Sequence, residues 1–248
     1  MRLGDAPWTA VRDALASGAP VAAILPLGAV EAHGPHLPLI TDVVISDGMA
    51  ARTAAMLEGQ GVRAFVLPAL AYAPAGYASE FAGTISIGAA AGRAVLIDIA
   101  RSLKEQGFAC LAFANSHFDP ENVAMLREAA AEVAALGLPV AFPDFTRRAL
   151  AATLTEEFQS GACHAGQFET SLVLADRPEL VDAAGGKVLA DNPSSLVTAF
   201  AQGATTFAEA GGPDAYFGSP SNASAAEGAR SYDIMAAALA ETILACLR

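Results

Sequence analysis

Basic side chains are scarce in this chain, with 14 Lys and Arg against 26 Asp and Glu, a formal charge of −12 over 248 residues. No Lys/Arg-rich run could neutralise a row of phosphates, so neither nucleic acid nor an anionic membrane surface is an expected partner. Although 54% of the residues are hydrophobic, no unbroken apolar stretch reaches the roughly eighteen residues that a membrane span requires. Cysteine is sparse too. Cys110, Cys163 and Cys246 are an odd number at wide spacing, which fits neither a disulfide framework nor a zinc knuckle, and they read as small buried hydrophobes. The N-terminal segment carries Asp5 and Asp13 and lacks an apolar core followed by a small-residue cleavage site, so a cytoplasmic location is expected. A GxSxG elbow, a P-loop and a Rossmann glycine fingerprint are all absent, which argues against a serine hydrolase or a nucleotide-binding domain.

What is present is an alternation of short apolar runs with longer segments of helical period. That pattern predicts a single α/β domain over 1–248, with a central, mostly parallel sheet flanked by helices. Strands are expected at 21–27, 63–67, 109–114 and 139–142, and helices at 44–57, 91–106, 120–136 and 225–247. The stretch 185–224, rich in Gly, Pro, Ser and Asn, reads as long loops.

Chemistry in such sheets collects at the carboxyl ends of the strands. The first predicted strand runs into Glu31-Ala32-His33-Gly34-Pro35-His36 and reaches Asp42; the third runs into Asn115-Ser116-His117-Phe118-Asp119-Pro120-Glu121-Asn122. A third cluster, from His164 through Glu169 to Ser171, precedes an apolar helix. All four histidines of the chain lie in these clusters. Imidazole with carboxylate suits Zn²⁺, Mn²⁺ or Fe²⁺. Glu31 and His33, two apart on an extended segment, point the same way, so each can serve a different ion if Asp42 turns back to bridge them. A carboxylate bridging ions about 3.5–4 Å apart would hold a shared hydroxide, the nucleophile of two-metal hydrolases. The plainer alternatives are that Asp42 and Asp119 are helix N-caps and that Glu169 is a first-turn acid favoured by the helix dipole.

The run LPLGAVEAHGPHLPLITD resembles the N-terminal motif of the creatininase (creatinine amidohydrolase) family, Glu-x-His-Gly-x-His with Asp eleven residues after the Glu. FAGTISIG at 81–88, NSHFDPEN and HAGQFETS are similar to its other motifs, and the resemblance runs from about residue 22 to about residue 229. It implies a dinuclear metal site in an α/β fold, usually assembled as a homo-hexamer, hydrolysing non-peptide C–N bonds of small cyclic amides or formamides. It further implies that Glu31 and His117 hold one metal and His33 the other, that Asp42 bridges, and that His164 carries a proton to the leaving nitrogen. Where creatininase has Glu two residues after the motif histidine, this chain has Asp119. Asp119 is the first choice to complete the second metal site, with Glu169 or Glu121 as alternatives. The family's tryptophan four residues before His164 is Ser160 here and the preceding Glu is Cys163, so creatinine is expected to be a poor substrate. Tyr72, Tyr77, Phe118 or Phe217 could line a different pocket. Two alternatives stand beside this reading: a formamide deformylase or peptide-trimming relative, and a non-catalytic metal-binding scaffold, against which the intact Glu31, His33, Asp42 and His117 argue.

Overall fold

The computed structural model describes residues 1–248. In chain order, α1 (Trp8–Leu15) and β1 (Val21–Leu27) are followed by α2 (Thr41–Glu58), β2 (Arg63–Val66), α3 (Ala89–Gln106) and β3 (Cys110–Asn115). Then come α4 (Pro120–Ala135), β4 (Val140–Ala141), α5 (Arg148–Ala151), α6 (Glu156–Ser160), α7 (Gln167–Asp176), α8 (Ala183–Lys187), α9 (Leu196–Ala201) and α10 (Ala225–Cys246). The four strands form one parallel sheet in the order β2-β1-β3-β4.

Alternation along β1 and β3 builds the two sides of the core. Ala22 and Ile24, with Cys110, Ala112 and Ala114, face a layer made by α2, α7 and α10. Val21, Ala23, Leu25 and Leu27, with Leu111 and Phe113, face α1, α3 and α4. Both faces are covered, so all of β1 is buried and its sequence is continuously apolar, as a central parallel strand requires. Gly228 of α10 lies so close to α7 that a Cβ there would stand 1.9 Å from the Ser171 carbonyl oxygen.

The α/β class and the parallel sheet are as expected, and the main differences lie at element ends. The last strand is only two residues long, because only Leu111 and Ala112 of β3 pair with it. Helix α2 begins at Thr41, three residues before the expected start, so Asp42 lies inside the first turn rather than at an N-cap. The stretch 185–224 holds the short helix α9 and a 3₁₀ turn at Pro220–Asn222 besides its loops. No helix is long and apolar enough to cross a membrane.

Candidate metal centre

Two strand ends and two helix starts converge on one buried cavity. The segment leaving the carboxyl end of β1 delivers Glu31 and His33, the segment leaving β3 delivers His117, and the first turns of α2 and α7 deliver Asp42 and Glu169. Helix N-termini favour carboxylates there. Local contacts fix each piece. Gly28 has no room for a side chain, since a Cβ would lie 2.7 Å from the Val43 nitrogen, and this absence lets β1 run hard against the start of α2. The Ala29 N–H donates to Asp42 Oδ2 (3.3 Å), and the Ser116 hydroxyl donates to the Asp42 carbonyl (2.6 Å). The side-chain amides of Asn115 and Asn122 both donate to the His117 carbonyl, at 2.9 and 2.8 Å, which explains the two asparagines around that histidine. Thr84 Oγ1 accepts the Ala32 N–H (3.1 Å), tying the FAGTISIG segment to the Glu31–His33 loop.

Glu31, His33, Asp42, His117, His164 and Glu169 are all buried. Asp42 divides its oxygens: Oδ2 is 3.0 Å from His117 Nδ1 and Oδ1 is 3.3 Å from His33 Nε2. Glu31 Oε1 lies 3.3 Å from His117 Nδ1, 3.8 Å from His164 Nδ1 and 3.9 Å from His33 Nε2, and Glu169 Oε2 is 3.6 Å from His33 Nε2. These donors form three compact groups: Glu31–Asp42–His117, His33–Asp42–Glu169, and Glu31–His33–His164.

Each of the three imidazoles turns its outer nitrogen to a main-chain carbonyl: His117 Nε2 to Pro74 (2.6 Å), His33 Nδ1 to Glu31 (3.1 Å), His164 Nε2 to Ala32 (2.9 Å). A carbonyl only accepts, so the outer nitrogen carries the proton and the inner nitrogen of a neutral ring points its lone pair into the cavity, beside the carboxylates. That is the arrangement of a metal-ligating histidine. His33 Nε2 is buried and makes no hydrogen bond although three carboxylates surround it. No lysine or arginine lines the cavity. Carboxylates buried with neutral imidazole lone pairs are a donor set that a divalent cation fits.

Without a cation, protons must carry the balancing charge. Burial pushes His33 down, but Asp42, Glu169 and Glu31 outweigh it and hold its pKa at about 10. His117 is likewise raised, Glu31 and Asp42 overcoming burial. Burial is opposed at Asp42 by His33 and His117, and its pKa is lowered. Glu169 is raised to about 8, chiefly by burial, with His33 opposing. His164 goes the other way: burial, reinforced by His33, pushes it well below the usual range.

The structure brings Asp119 to the cavity wall but into none of the three donor groups. Its Oδ1 is committed to capping α4 through the Glu121 N–H (2.8 Å), the plainer of its two expected roles. Glu121 is exposed, so it is no candidate ligand. Of the expected aromatics, Tyr77 and Phe118 line the cavity; Tyr72 is exposed on the surface, and Phe217 lies behind the wall, packed on Phe207. Leu196, Phe200 and Phe207, from the stretch that reads as loops, complete the lining and are not evident from local sequence. The phenylalanines of this Gly- and Ser-rich stretch, Phe200, Phe207 and Phe217, are the one signal of such a role. Half-buried Cys163 also faces the cavity, its thiol pushed up by burial and Glu169.

A family model for creatininase, creatinine amidohydrolase, matches residues 4–243. The chain belongs to the creatininase family. It is therefore an enzyme of the metal-dependent amidohydrolase kind. It is 32% identical over 217 residues to a mycofactocin precursor peptide peptidase of Mycobacterium ulcerans, covering 84% of this chain and 79% of that one. It is 30% identical over 200 residues to a creatinine amidohydrolase of Pseudomonas putida, covering 73% of each. Among solved structures, a creatininase variant of Zn-Zn type superposes with a TM-score of 0.76 at 26% identity, covering 97% of this chain and 96% of that one. A manganese creatininase superposes with a TM-score of 0.75 at 25% identity and the same coverage.

The protonation pattern sets a pH dependence. His33, raised to about 10, stabilises the metal-free fold fully below its unfolded pKa of 6.5 and loses that contribution as pH climbs toward 10. Glu169, raised to about 8, favours the fold while protonated and acts in the same direction. Chelator-treated protein should therefore melt at progressively lower temperature from pH 6.5 to 10, and added Zn²⁺ should restore more stability at the alkaline end, where it displaces fewer protons. A melting temperature of the chelated protein that is flat or rising over that window would contradict the assignment.

Proposed function

We propose that this enzyme is a dinuclear amidohydrolase, with one divalent cation held by Glu31, Asp42 and His117 and the other by His33, Asp42 and Glu169. The observation that carries the reading is the division of the Asp42 carboxylate, one oxygen toward His117 and one toward His33. Zinc or manganese fits the donor set, with iron as a further option, and the zinc and manganese forms of related creatininases support it. Glu169, rather than Asp119, completes the second site. When bound, such cations supply the charge that acidifies water and polarises a carbonyl.

The chain's own groups do the rest. His164 is neutral, and its Nε2–H is fixed on Ala32, so Nδ1 is free to accept a proton inside the cavity. Its ring packs against both His33 and Phe207, each at a centroid distance of 4.3 Å. A group placed there takes the proton from the attacking water and returns it to the leaving nitrogen, which cannot depart as an amide anion. Tyr77, Phe118, Phe200 and Phe207 wall a cavity of about 60 Å³. Asp119 stands in the same wall, opposite no cationic side chain, and offers an acceptor to a substrate N–H.

The narrow, largely aromatic wall, in which Asp119 is the one carboxylate outside the donor groups, favours a small amide, lactam, imide or formamide as substrate. A second reading, removal of residues from a short peptide, is favoured by the likeness to the mycobacterial peptide peptidase. Creatinine fits neither well, because Ser160 is exposed, gives its hydroxyl to the Glu157 carbonyl (2.7 Å) and supplies no ring to cover the substrate.

Elemental analysis should find close to two transition-metal ions per chain; Asp42→Ala should lose both and Glu31→Ala mainly one. His164→Ala should keep both while turnover falls by roughly 10²–10⁴. Activity should be sought on lactams, hydantoins, formamides and short peptides, with creatinine as the poor substrate. Metal loss in the His164 variant, or full metal in the Asp42 variant, would overturn these roles.

Assembly belongs to the same proposal. Trp8, Val188 and Val197 are 72%, 83% and 69% exposed, apolar area that subunit contacts would cover, and a homo-hexamer is the form proposed. Light scattering returning a mass near the 25.1 kDa of one chain at micromolar concentration would refute it.

A further inference from the structure

His36, the second histidine of the HGPH sequence, is the one histidine that does not face the metal centre. It is buried, and its ring occupies a slot between two glycines: a Cβ on Gly34, whose φ is +62°, would lie 2.9 Å from His36 Nδ1, and one on Gly186 would lie 3.2 Å from Cδ2. Its main-chain carbonyl accepts the Asp182 N–H at 2.9 Å. The ring makes one hydrogen bond, from Nε2 to Thr170 Oγ1 at 2.9 Å, and Nδ1 is left without a partner. A buried polar atom left unpaired is destabilising. An aliphatic side chain would fill the slot without that cost, so packing alone does not account for an imidazole here.

The single hydrogen bond leads back to the centre. Thr170 follows Glu169 in α7, and its hydroxyl reaches the Ala165 carbonyl (3.4 Å). Ala165 follows His164 and is held at φ +52°, a left-handed conformation that a residue with a Cβ adopts only when its surroundings impose it. In that conformation its N–H donates to Glu169 Oε2 at 2.7 Å. The pairing that leaves fewest groups unsatisfied runs from His36 Nε2–H to Thr170 Oγ1, from the Thr170 hydroxyl to the Ala165 carbonyl, and from the Ala165 N–H to the Glu169 carboxylate.

We infer that His36 is a positioning residue for the metal held by His33, Asp42 and Glu169, acting through Thr170 on the strained Ala165 peptide that aims the Glu169 carboxylate. The inference rests on the dinuclear reading above. Outer partners of this sort typically change metal affinity by about 10–100-fold when removed.

The test is competition for Zn²⁺ between the purified protein and a chelating dye, which resolves the two binding steps. In His36→Leu and in Thr170→Val one binding step should lose about 10–100-fold in affinity while the other stays as in the wild type. His36→Gln and Thr170→Ser, which keep the donor and the hydroxyl, should remain within about threefold of wild type. His36→Leu should at the same time match or exceed the wild-type melting temperature of the metal-free protein, because it removes an unpaired nitrogen; a positioning role separates metal affinity from stability in a way that a packing role does not. If His36→Leu does not fold, Thr170→Val, which retains the shape of the side chain, decides alone. Both binding steps unchanged, or both weakened together, would overturn the inference. Wild-type protein that takes up fewer than two Zn²⁺ would instead overturn the dinuclear reading itself.

Discussion

The carboxylates of Glu31, Asp42 and Glu169 lie buried together with histidine as their only ionic partner. Removing such charges from water is costly unless something of opposite sign accompanies them. Two solutions are open to this chain. Protons can reside on His33, His117 and Glu169, whose raised pKa values express that demand, or divalent cations can replace those protons. The second solution also satisfies His33 Nε2, which has no hydrogen bond in the first. Much of the surrounding architecture serves to hold the acids in place against their mutual repulsion: helix N-termini beneath Asp42 and Glu169, main-chain N–H groups on both, and asparagines clamping the peptide that carries His117.

The same constraint explains why His164 differs from its neighbours. It packs against Phe207, with one carboxylate oxygen at 3.8 Å and the His33 ring tilted by 35° against it. Burial and that neighbour keep it neutral, so it is a group that receives a proton rather than one that already holds it. Aromatic packing and the proposed proton transfer are thus joined in one residue.

The sheet is legible in the sequence because β1 and β3 are continuously apolar and each ends directly on a histidine motif. The metal centre is legible because donors two and eleven residues apart on one segment recur with a third histidine at the next strand end. What escapes does so for physical reasons. Asp42 reads as lying ahead of its helix because the helical period is expected only from residue 44, whereas the helix begins at Thr41, where Gly28 lets β1 approach closely. Asp119, two residues from His117, is the N-cap of α4 through Oδ1 and also stands in the cavity wall, so the local hydrogen bond accounts for the position without excluding its other expected role. Phe200 and Phe207 reach the cavity only through the folding of a long connection, and no local pattern records where such side chains point. The inner direction of three histidines and the outward slot of His36 depend equally on which carbonyls lie nearby.

The central claim is that two cations share Asp42, and the most direct measurement is anomalous diffraction from crystals soaked in Zn²⁺ or Mn²⁺, with data collected on both sides of the metal edge. Two peaks about 3.5–4 Å apart are expected, one among Glu31, Asp42 and His117 and the other among His33, Asp42 and Glu169, with a different Asp42 oxygen on each. A single peak, or two that do not share Asp42, would contradict it.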